Sequence, residues 1–458
     1  MAQTKVQESD KAKIKLRDYE FAYVQGDVLK GHIVRTAAPA IQDAKITIRL
    51  VGRTKAGLRL PALIPAIGRA SIAGWVPFWK EADFLSVEKT IHEGQIPAGD
   101  TAWSFNMPIS KGQRSTEKLP PTYHYTSDLF VDRKRYYIFT EYVLEAQISS
   151  SSSTATALLP ICVQWPSTPR PTSGFGMETR VSEHTFRSFH LLPSSSSSQL
   201  TIGQQMNKVF RPNEVPECMF SIEVQHPSII QLDHPKPISF TLHAVTKLAT
   251  PSIQAPPIKL VGMNLYIHSA TDNWDFKQNN NESTSITGMW RDSELAFPSN
   301  ILGPDGLSVP ISEPGSKHRK KHAVLDIGEV LGIRISSKDV SFSTPASNGS
   351  TPSTSAGERE VQTAALKYPL YPSFTTRYVT NKHQLVWKFK IVCGGERQTV
   401  RGTAPITVLG SSKKEVEAKI KRLASLGIKD VQKVFALVVG LATIGGSIAE
   451  MAGTAMDD

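Results

Sequence analysis

Cysteine is scarce in this chain of 458 residues, which has only Cys162, Cys218 and Cys393. The three lie far apart and form neither a C-x-x-C pair nor a cluster with histidines at metal-binding spacing. An odd, unclustered set predicts free thiols in a reducing compartment rather than a disulfide framework. We therefore expect no bound metal and no cofactor.

The sequence also lacks the short motifs of the common enzyme classes. It has no G-x-S-x-G, no Walker loop, no G-x-G-x-x-G and no H-E-x-x-H. His318 and His322 are four residues apart, but basic residues at 317 and 319–321 surround them and oppose metal binding. That run predicts a solvated basic loop, with a phosphate site or a nuclear-import signal as alternatives. We expect no catalytic residue; an enzyme with an unrecognised site is the alternative, because a fold never excludes one.

Residues 1–10 contain no apolar core of the kind that a signal peptide needs, which predicts a cytoplasmic protein. Lysine and arginine total 52 against 41 aspartate and glutamate residues, giving a net charge of +11. Such an excess favours acidic partners such as anionic lipid, phosphorylated tails or nucleic acid. An ordinary basic surface is the alternative interpretation.

Turn-forming residues are plentiful, with 30 glycines and 30 prolines spread along the chain, which suits many short strands. Ile46, Ile48 and Leu50 alternate with polar residues at the period of a half-buried strand. A long strand over 136–148 is expected to pair with 158–165. A second hairpin is predicted within 384–409, turning at the glycines 394–395.

Other stretches lack this alternation. Residues 56–80 carry prolines among apolar residues and predict a long loop, whereas 199–202 predicts a short strand. Two polar inserts, 270–322 and 341–360, interrupt the second half, and we expect the second to be disordered.

The two halves have similar strand layouts and meet at a proline-rich join, residues 166–176, so a duplicated sandwich explains the pattern. We predict an all-β protein of two tandem immunoglobulin-like antiparallel β-sandwiches with a C-terminal helical tail. The predicted organisation is a flexible N-terminus (1–12), a first sandwich (13–168), a second sandwich with disordered inserts (178–410) and the tail (411–458).

The tail has the signals of two helices. Ser412 and Glu415 form a capping box, Gly427 is a natural helix stop, and Asp430 is a natural N-cap for a second helix. The second helix holds an uncharged run over 434–449 that spans about 24 Å, short of the roughly 30 Å hydrocarbon core of a bilayer.

This order of features predicts a segment that lies in a membrane interface, with basic residues on anionic headgroups and an apolar helix inserted beside them. The alternatives are a helix docked on the protein itself or on another copy, and a membrane span. The residues expected to contact the membrane are Lys413, Lys414, Lys421, Arg422, Val434, Phe435 and Val438.

Several segments resemble, in order, the N-terminal domain of the arrestin family. Tyr23 followed by the Gly-Asp pair at 26–27 is similar to the family's first turn, and residues 50–52 are similar to its L-x-G strand end. Residues 119–123, L-P-P-T-Y, are similar to its L-P-P-S-F element. The match covers roughly 150 residues and is closest to divergent fungal α-arrestins. It implies an arrestin-like pair of β-sandwiches serving as a cytoplasmic adaptor in endocytosis and protein transport.

The resemblance implies that membrane-protein cytoplasmic tails are partners, at the plasma membrane or endosomes, and that a HECT-class ubiquitin ligase is recruited. Pro120, Pro121 and Tyr123 match the P-P-x-Y ligand of WW domains. The competing interpretation is a strand edge whose aromatic ring is buried, so we predict that Tyr123 is largely buried. The alternative function is a membrane-associated structural or trafficking scaffold without ligase recruitment. No nucleic-acid partner is expected.

Overall fold

The computed structural model describes residues 12–17, 23–66, 69–109, 119–126, 135–164, 168–191, 201–210, 215–247, 256–277, 283–298, 301–312, 323–343, 361–376 and 379–425. Within these ranges the protein is mostly β-sheet, in several antiparallel sheets, with short helices. The coarse prediction of an all-β chain is therefore confirmed.

Eight strands form the N-terminal part: β1 (Lys13–Leu16), β2 (Val28–Ala38), β3 (Ile41–Ala66), β4 (Arg69–Ile96), β5 (Gly99–Pro108), β6 (Tyr123–Thr126), β7 (Arg135–Ser149) and β8 (Thr154–Ile161). One sheet has the order β1-β2-β5, and the other has the order β4-β3-β7-β6, with β8 also paired to β7. Leu29 and Phe105 of the first sheet and Ile48 and Leu144 of the second belong to one buried core. Apolar residues on alternate positions thus fill the space between two sheets, which gives this part β-sandwich character.

The loop predicted over 56–80 is wrong, because β3 and β4 form a long antiparallel hairpin whose register runs to Ala66 opposite Arg69. The prolines suggested a loop, but their positions explain why the strands tolerate them. Pro61 and Pro65 lie beyond Arg59, the last β3 residue that pairs with β7. Pro77 lies on β4, which is the edge strand of its sheet. A proline is accepted where its missing N–H faces no neighbouring strand.

Fifteen further strands and three helices form the C-terminal part. The strands are β9 (Met177–Arg187), β10 (Glu217–Pro227), β11 (Ile229–Gln231), β12 (Thr241–Thr246), β13 (Ile258–Lys277), β14 (Ser283–Leu295), β15 (Leu307–Val309), β16 (Ile311–Ser312), β17 (Leu325–Asp326), β18 (Arg334–Ile335), β19 (Asp339–Ser343), β20 (Val361–Ala365), β21 (Phe374–Thr375), β22 (Val379–Cys393) and β23 (Glu396–Leu409). The helices are α1 (Ile202–Phe210), α2 (Ile327–Val330) and α3 (Lys413–Ser425), and a 3-10 turn covers Phe189–Leu191.

Two larger sheets again enclose a core. One has the order β16-β12-β10-β9, the other the order β11-β23-β22-β13-β14, and β18-β19-β20 form a small third sheet. Phe220 of β10 and Phe240, which directly precedes β12, belong to the same buried cluster as Trp387 and Phe389 of β22. The ring of Phe240 lies 5.8 Å from that of Trp387 and 5.4 Å from that of Phe389, both edge-on. These contacts again give β-sandwich character, because one apolar layer is shared by two sheets.

Two predicted hairpins are confirmed. Strands β7 and β8 pair from Tyr142 opposite Ile161 to Ser149 opposite Thr154. Strands β22 and β23 pair through a turn at Gly394 and Gly395, whose φ angles of 54° and 77° suit glycine.

Two other predictions in this part are corrected. The strand expected over 199–202 is wrong at its described end, since Ile202 begins helix α1. The polar insert 270–322 contains the paired strand β14, whose Trp290 lies opposite Ala270 of β13. The polar sequence hid β14 because β14 lies at the edge of its sheet, where one side pairs with β13 and the outer backbone groups can hydrogen-bond to water. Of the insert 341–360, only the end of β19 to Ser343 is described, and the expected disorder lies outside the described residues.

Of the predicted capping box at the start of the tail, the N-cap bond accepted by Ser412 is confirmed. The Glu415 N–H donates to the Ser412 Oγ at 3.3 Å, and α3 follows. The Lys413 N–H donates to the Thr168 carbonyl at 3.2 Å, so the first turn of α3 is fixed to the body of the protein. The predicted stop at Gly427 and the second helix lie outside the described residues.

A group of charged side chains supports the β3-β4-β7 sheet. Glu141 of β7 has a side chain only 3% exposed, and its Oε1 lies 2.8 Å from both the Arg53 Nε and the Lys55 Nζ. Arg53 also contacts Glu81 at 2.9 Å. Burial works to lower the pKa of Arg53, but the charge and hydrogen bond of Glu141 outweigh it and raise that pKa above its usual value. The buried carboxylate therefore holds two cations on the neighbouring strand.

We predict that Glu141→Gln destabilises the protein by about 3 kcal/mol, because it removes the buried carboxylate that the two largely buried cations share and leaves them only the more exposed Glu81. The matched control is Glu93→Gln, which breaks a surface pair with Lys45 whose side chains are 64% and 52% exposed. That change should cost under about 1 kcal/mol. Urea unfolding measures both, and equal losses would contradict the assigned role of Glu141.

Candidate functional site

A third hydrophobic cluster joins the two parts of the chain, and we call it the seam. Its members come from both parts: Ala56, Tyr123, Tyr125, Ile138, Tyr371, Phe374 and Val379. All are buried, and Tyr123 and Tyr125 are each only 3% exposed. The prediction that Tyr123 is largely buried is therefore confirmed.

The L-P-P-T-Y segment, residues 119–123, is held in place at each step. The Tyr142 hydroxyl donates to the Pro120 carbonyl at 2.6 Å. The Thr122 N–H donates to the Val163 carbonyl at 2.7 Å, and the Val163 N–H donates to the Thr122 Oγ1 at 2.9 Å. Tyr123 then opens β6, which pairs with β7. Pro120 and Pro121 are buried as well, so the whole motif belongs to the folded body.

Gly52 explains how Tyr142 reaches the segment. A Cβ at position 52 would lie 2.6 Å from the Phe84 ring and 2.9 Å from the Tyr142 ring, closer than real contacts allow. The absence of a side chain therefore lets the Tyr142 ring pass beside β3 toward Pro120. The L-x-G residues 50–52, expected at a strand end, lie within β3, and there they pack against the ring that holds the L-P-P-T-Y segment.

Tyr123 makes the central contacts of the seam with the C-terminal part. Its ring meets Tyr371 edge-on at 4.8 Å and Phe374 edge-on at 5.2 Å, measured between ring centroids. Its hydroxyl shares a 2.7 Å hydrogen bond with the Thr271 Oγ1 of β13. Edge-to-face aromatic pairs add roughly 0.5–1.5 kcal/mol beyond the burial of their area. One tyrosine thus supplies both apolar and polar links across the seam.

Beside Tyr123 lies a small cavity of about 10 Å³, close to the room that one buried water needs. Its lining is polar but uncharged: Tyr123, Tyr125, Ser269, Thr271, Ser293, Tyr368, Pro369, Tyr371, Asn381 and His383. Both parts of the chain contribute to this lining. The cavity has room for about one water molecule, and it has no room for a peptide or a sugar.

His383 of β22 is the one titratable imidazole in that lining. Its Nδ1 lies 2.8 Å from the Ser269 Oγ, and the Asn381 Nδ2 donates to its Nε2 at 3.2 Å. The Asn381 Nδ2 also donates to the Pro372 carbonyl at 3.0 Å, which fixes the orientation of the amide. Burial lowers the pKa of His383 to about 4, with the Tyr371 backbone acting weakly in the opposite direction. The ring is therefore neutral at physiological pH, with its Nδ1–H directed to Ser269.

The lowered pKa makes His383 a weak general base within this serine–histidine–asparagine arrangement. A general base works best when its pKa lies near the working pH. The pKa of His383, about 4, lies well below a neutral working pH. The group instead ties β13 to β22 through neutral hydrogen bonds.

The described residues offer no alternative metal or membrane-spanning site. No three histidine, cysteine or acidic side chains among them could hold a metal ion. None of the helices in the described ranges has the length and apolarity to cross a bilayer. Cys162, Cys218 and Cys393 are buried free thiols. His318 and His322 lie outside the described residues.

The predicted tail site is only partly described. Lys413, Lys414 and Lys421 are exposed on α3 and free to face a charged surface. The Arg422 side chain and residues Val434, Phe435 and Val438 lie outside the described residues. The tail and the seam are therefore separate candidate sites.

Sequence reasoning missed Ser269, Asn381 and His383. A signal existed: Asn381 and His383 continue, at every second position, the inward-facing apolar stripe of β22 that runs on through Leu385 and Trp387. Two polar residues on the buried face of a long strand indicate a buried polar contact. The pairing partner Ser269, more than one hundred residues away in the chain, gave no such signal.

Comparison with protein-family models and with curated proteins finds no match for this chain. The functional interpretation therefore depends on the geometry of the seam.

We predict that His383 makes stability depend on pH. Its folded pKa of about 4 lies below the ordinary value of 6.5, so the unfolded chain binds the proton more readily. The contribution is fully present above pH 6.5 and is lost as the pH falls from there to about 4, by roughly 3 kcal/mol. His383→Gln should flatten this dependence, as urea unfolding at several pH values will measure.

The control is His32→Gln, at an exposed position of β2, which should retain the wild-type pH profile. A His383→Gln protein that still loses stability as steeply as wild type over this pH range would show that other groups cause the effect.

Proposed function

We propose that this chain is a non-catalytic, arrestin-like adaptor built from two tandem immunoglobulin-like antiparallel β-sandwiches. It binds the cytoplasmic tails of membrane proteins and works in the cytoplasm, at the plasma membrane or endosomes. One observation carries the proposal: two β-sheet cores are joined by a small aromatic seam that centres on Tyr123 of the L-P-P-T-Y segment. In this proposal the joint holds the two sheet pairs, which would supply the binding surfaces, in a fixed relation.

Charge supports the choice of partner. The net charge of +11 favours acidic ligands, such as acidic or phosphorylated tails at an anionic membrane. The exposed lysines of α3 contribute to that excess at a position where the chain leaves the folded body. The cavity at the seam has no charged lining residue to attract an acidic ligand, so we assign it to the joint and not to cargo binding.

The burial of the P-P-x-Y motif favours the alternative function, a membrane-associated scaffold without ligase recruitment through this motif. A WW domain grips both the prolines and the tyrosine of an extended ligand. Here Pro120, Pro121 and Tyr123 are buried, and releasing them breaks the hydrogen bonds of Tyr142 and Val163. Ligase binding through residues 120–123 therefore requires local unfolding of β6.

We predict that a synthetic peptide of residues 116–127 binds an isolated WW domain of a HECT-class ligase at least about tenfold more tightly than the full-length protein does, because only the peptide exposes Tyr123. Isothermal titration of both ligands measures the difference. A Tyr123→Ala peptide serves as the negative control. Equal affinities of peptide and protein would show that β6 opens freely and would restore the ligase hypothesis.

The tail supplies the proposed membrane contact. We infer that Lys413, Lys414, Lys421 and Arg422 meet anionic headgroups and that Val434, Phe435 and Val438 enter the interface. Each basic residue near such a surface contributes about 1 kcal/mol, and salt screens this contribution. Because Ser412 is fully buried and Lys413 is bonded to Thr168, a clean truncation has to spare the start of α3.

We predict that deletion of residues 426–458 moves the protein from the membrane pellet to the soluble fraction of fractionated cells but leaves the body folded. Affinity purification of the same variant from a detergent extract, read by mass spectrometry, should still recover integral membrane proteins. Lys413→Gln with Lys414→Gln and Lys421→Gln should weaken pelleting mainly at low salt. If wild type recovers no membrane protein above an unrelated bait, the adaptor proposal is wrong.

A further inference from the structure

Helix α1 exposes its apolar stripe, whereas an ordinary surface helix buries it. Ile202, Met206 and Phe210 follow at four-residue spacing, so they form one stripe, and they are 78%, 54% and 73% exposed. Gln204 and Asn207, on the other side, are half-buried. A surface helix of a soluble protein normally turns its apolar stripe toward the core. Here the apolar stripe is exposed, while two polar residues on the opposite side are half-buried.

The helix is stabilised locally and does not depend on burying that stripe. The Thr201 N–H donates to the Gln204 Oε1 at 3.0 Å, and the Gln204 N–H donates to the Thr201 Oγ1 at 3.2 Å. This reciprocal pair is a capping box, which fixes the first turn. The exposed stripe is therefore presented by a formed helix.

Charge around the helix indicates what the stripe meets. In the sequence, residues 188–213 contain no aspartate or glutamate, and the first acidic residue after the helix is Glu214; Lys208 belongs to the last turn of α1 and Arg211 follows the helix directly in the chain. An apolar stripe with basic residues and no acidic residue is the composition of helices that lie in anionic membrane interfaces. The basic residues add attraction to anionic lipid, and the apolar side chains add insertion.

A second copy of the chain fits the stripe less well. A helix of nine residues is about 14 Å long. Its three apolar side chains offer on the order of 400 Å² per copy. A stable dimer interface buries about 1,200–2,000 Å² in total, which a pair of such stripes does not reach. A membrane interface needs no matching surface, so a short stripe contributes fully.

We propose that α1 is an interfacial membrane anchor, with Ile202, Met206 and Phe210 inserted among the acyl chains of an anionic membrane. The proposal rests on the proposed function only in placing the protein at a membrane. It adds a second contact to the basic tail, and stable attachment of peripheral proteins commonly needs two such signals.

The test uses full-length protein and flotation with vesicles of phosphatidylcholine plus phosphatidylserine, compared with phosphatidylcholine alone. The variant Ile202→Gln with Met206→Gln and Phe210→Gln should lose roughly tenfold or more of its partitioning into the anionic vesicles. The matched control, Val181→Gln with Val361→Gln, changes side chains that are 59% and 58% exposed elsewhere and should float like wild type. Equal flotation of the triple variant and wild type would overturn the proposal.

A second readout does not depend on loss of binding. The native cysteines are buried, so Phe210→Cys can be labelled with an environment-sensitive fluorophore. Its emission should shift to the blue on addition of anionic vesicles. A shift that instead depends on protein concentration without lipid would identify a second copy as the occupant and overturn the proposal, as would an unchanged emission.

Flotation and affinity purification together distinguish failure of the anchor proposal from failure of the adaptor proposal. A triple variant that loses flotation but still recovers membrane proteins from detergent extract supports α1 as an anchor and leaves the adaptor intact. Flotation that depends on α1 in a protein recovering no membrane protein supports the anchor alone. Flotation that survives in the triple variant but not after deletion of residues 426–458 assigns the membrane contact to the tail.

Discussion

The contact of Tyr123 with Tyr371, Phe374 and Thr271 is the constraint on which the rest of the arrangement depends. Each sheet pair has its own apolar core, so each can exclude water without the other. The relation between them rests on the seam, where a few rings and one hydroxyl pair bridge the gap. Such a joint is specific, because a misplaced ring would strand the buried hydroxyls of Tyr123 and Thr271 without partners.

The two polar regions of the protein obey different electrostatic rules. In the N-terminal part, Glu141 is buried as an ion because Arg53 and Lys55 neutralise it at contact distance. At the seam no such counter-charge lines the cavity, and His383 remains neutral because burial disfavours its charged form. The first arrangement stiffens a sheet. The second keeps the joint uncharged, so that its hydrogen bonds need no ionic partner.

The exposed apolar stripe of α1 and the exposed lysines of α3 have a common physical logic. Neither is needed to complete a core, and both present to the outside what a folded body would usually cover or balance. Under the proposed function, the protein would have to stay near the bilayer long enough to meet the tails of membrane proteins. Weak contacts of two kinds, apolar and ionic, together give attachment that remains reversible.

The sequence by itself determined the strand periodicity, the β7–β8 and β22–β23 hairpins and the helix start at Ser412, because these depend on neighbours close in the chain. The α1 helix was readable in the same way, since Thr201 and Gln204 form its cap and the apolar residues recur every fourth position. The loop predicted over 56–80 was wrong because a proline destabilises a strand only where a neighbouring strand needs its N–H. Which strands are neighbours was decided by the tertiary structure alone.

Tertiary structure also decided the meaning of residues 120–123. The same P-P-x-Y letters specify an exposed ligand or a buried strand edge, and the choice is made by Tyr142 and Val163, which the fold brings beside them. The seam cavity likewise combines Tyr123 with Ser269 and His383, residues separated by well over one hundred positions. Local sequence cannot specify such encounters, because they depend on how two separately cored parts meet. The outward direction of the α1 stripe was undetermined for the same reason.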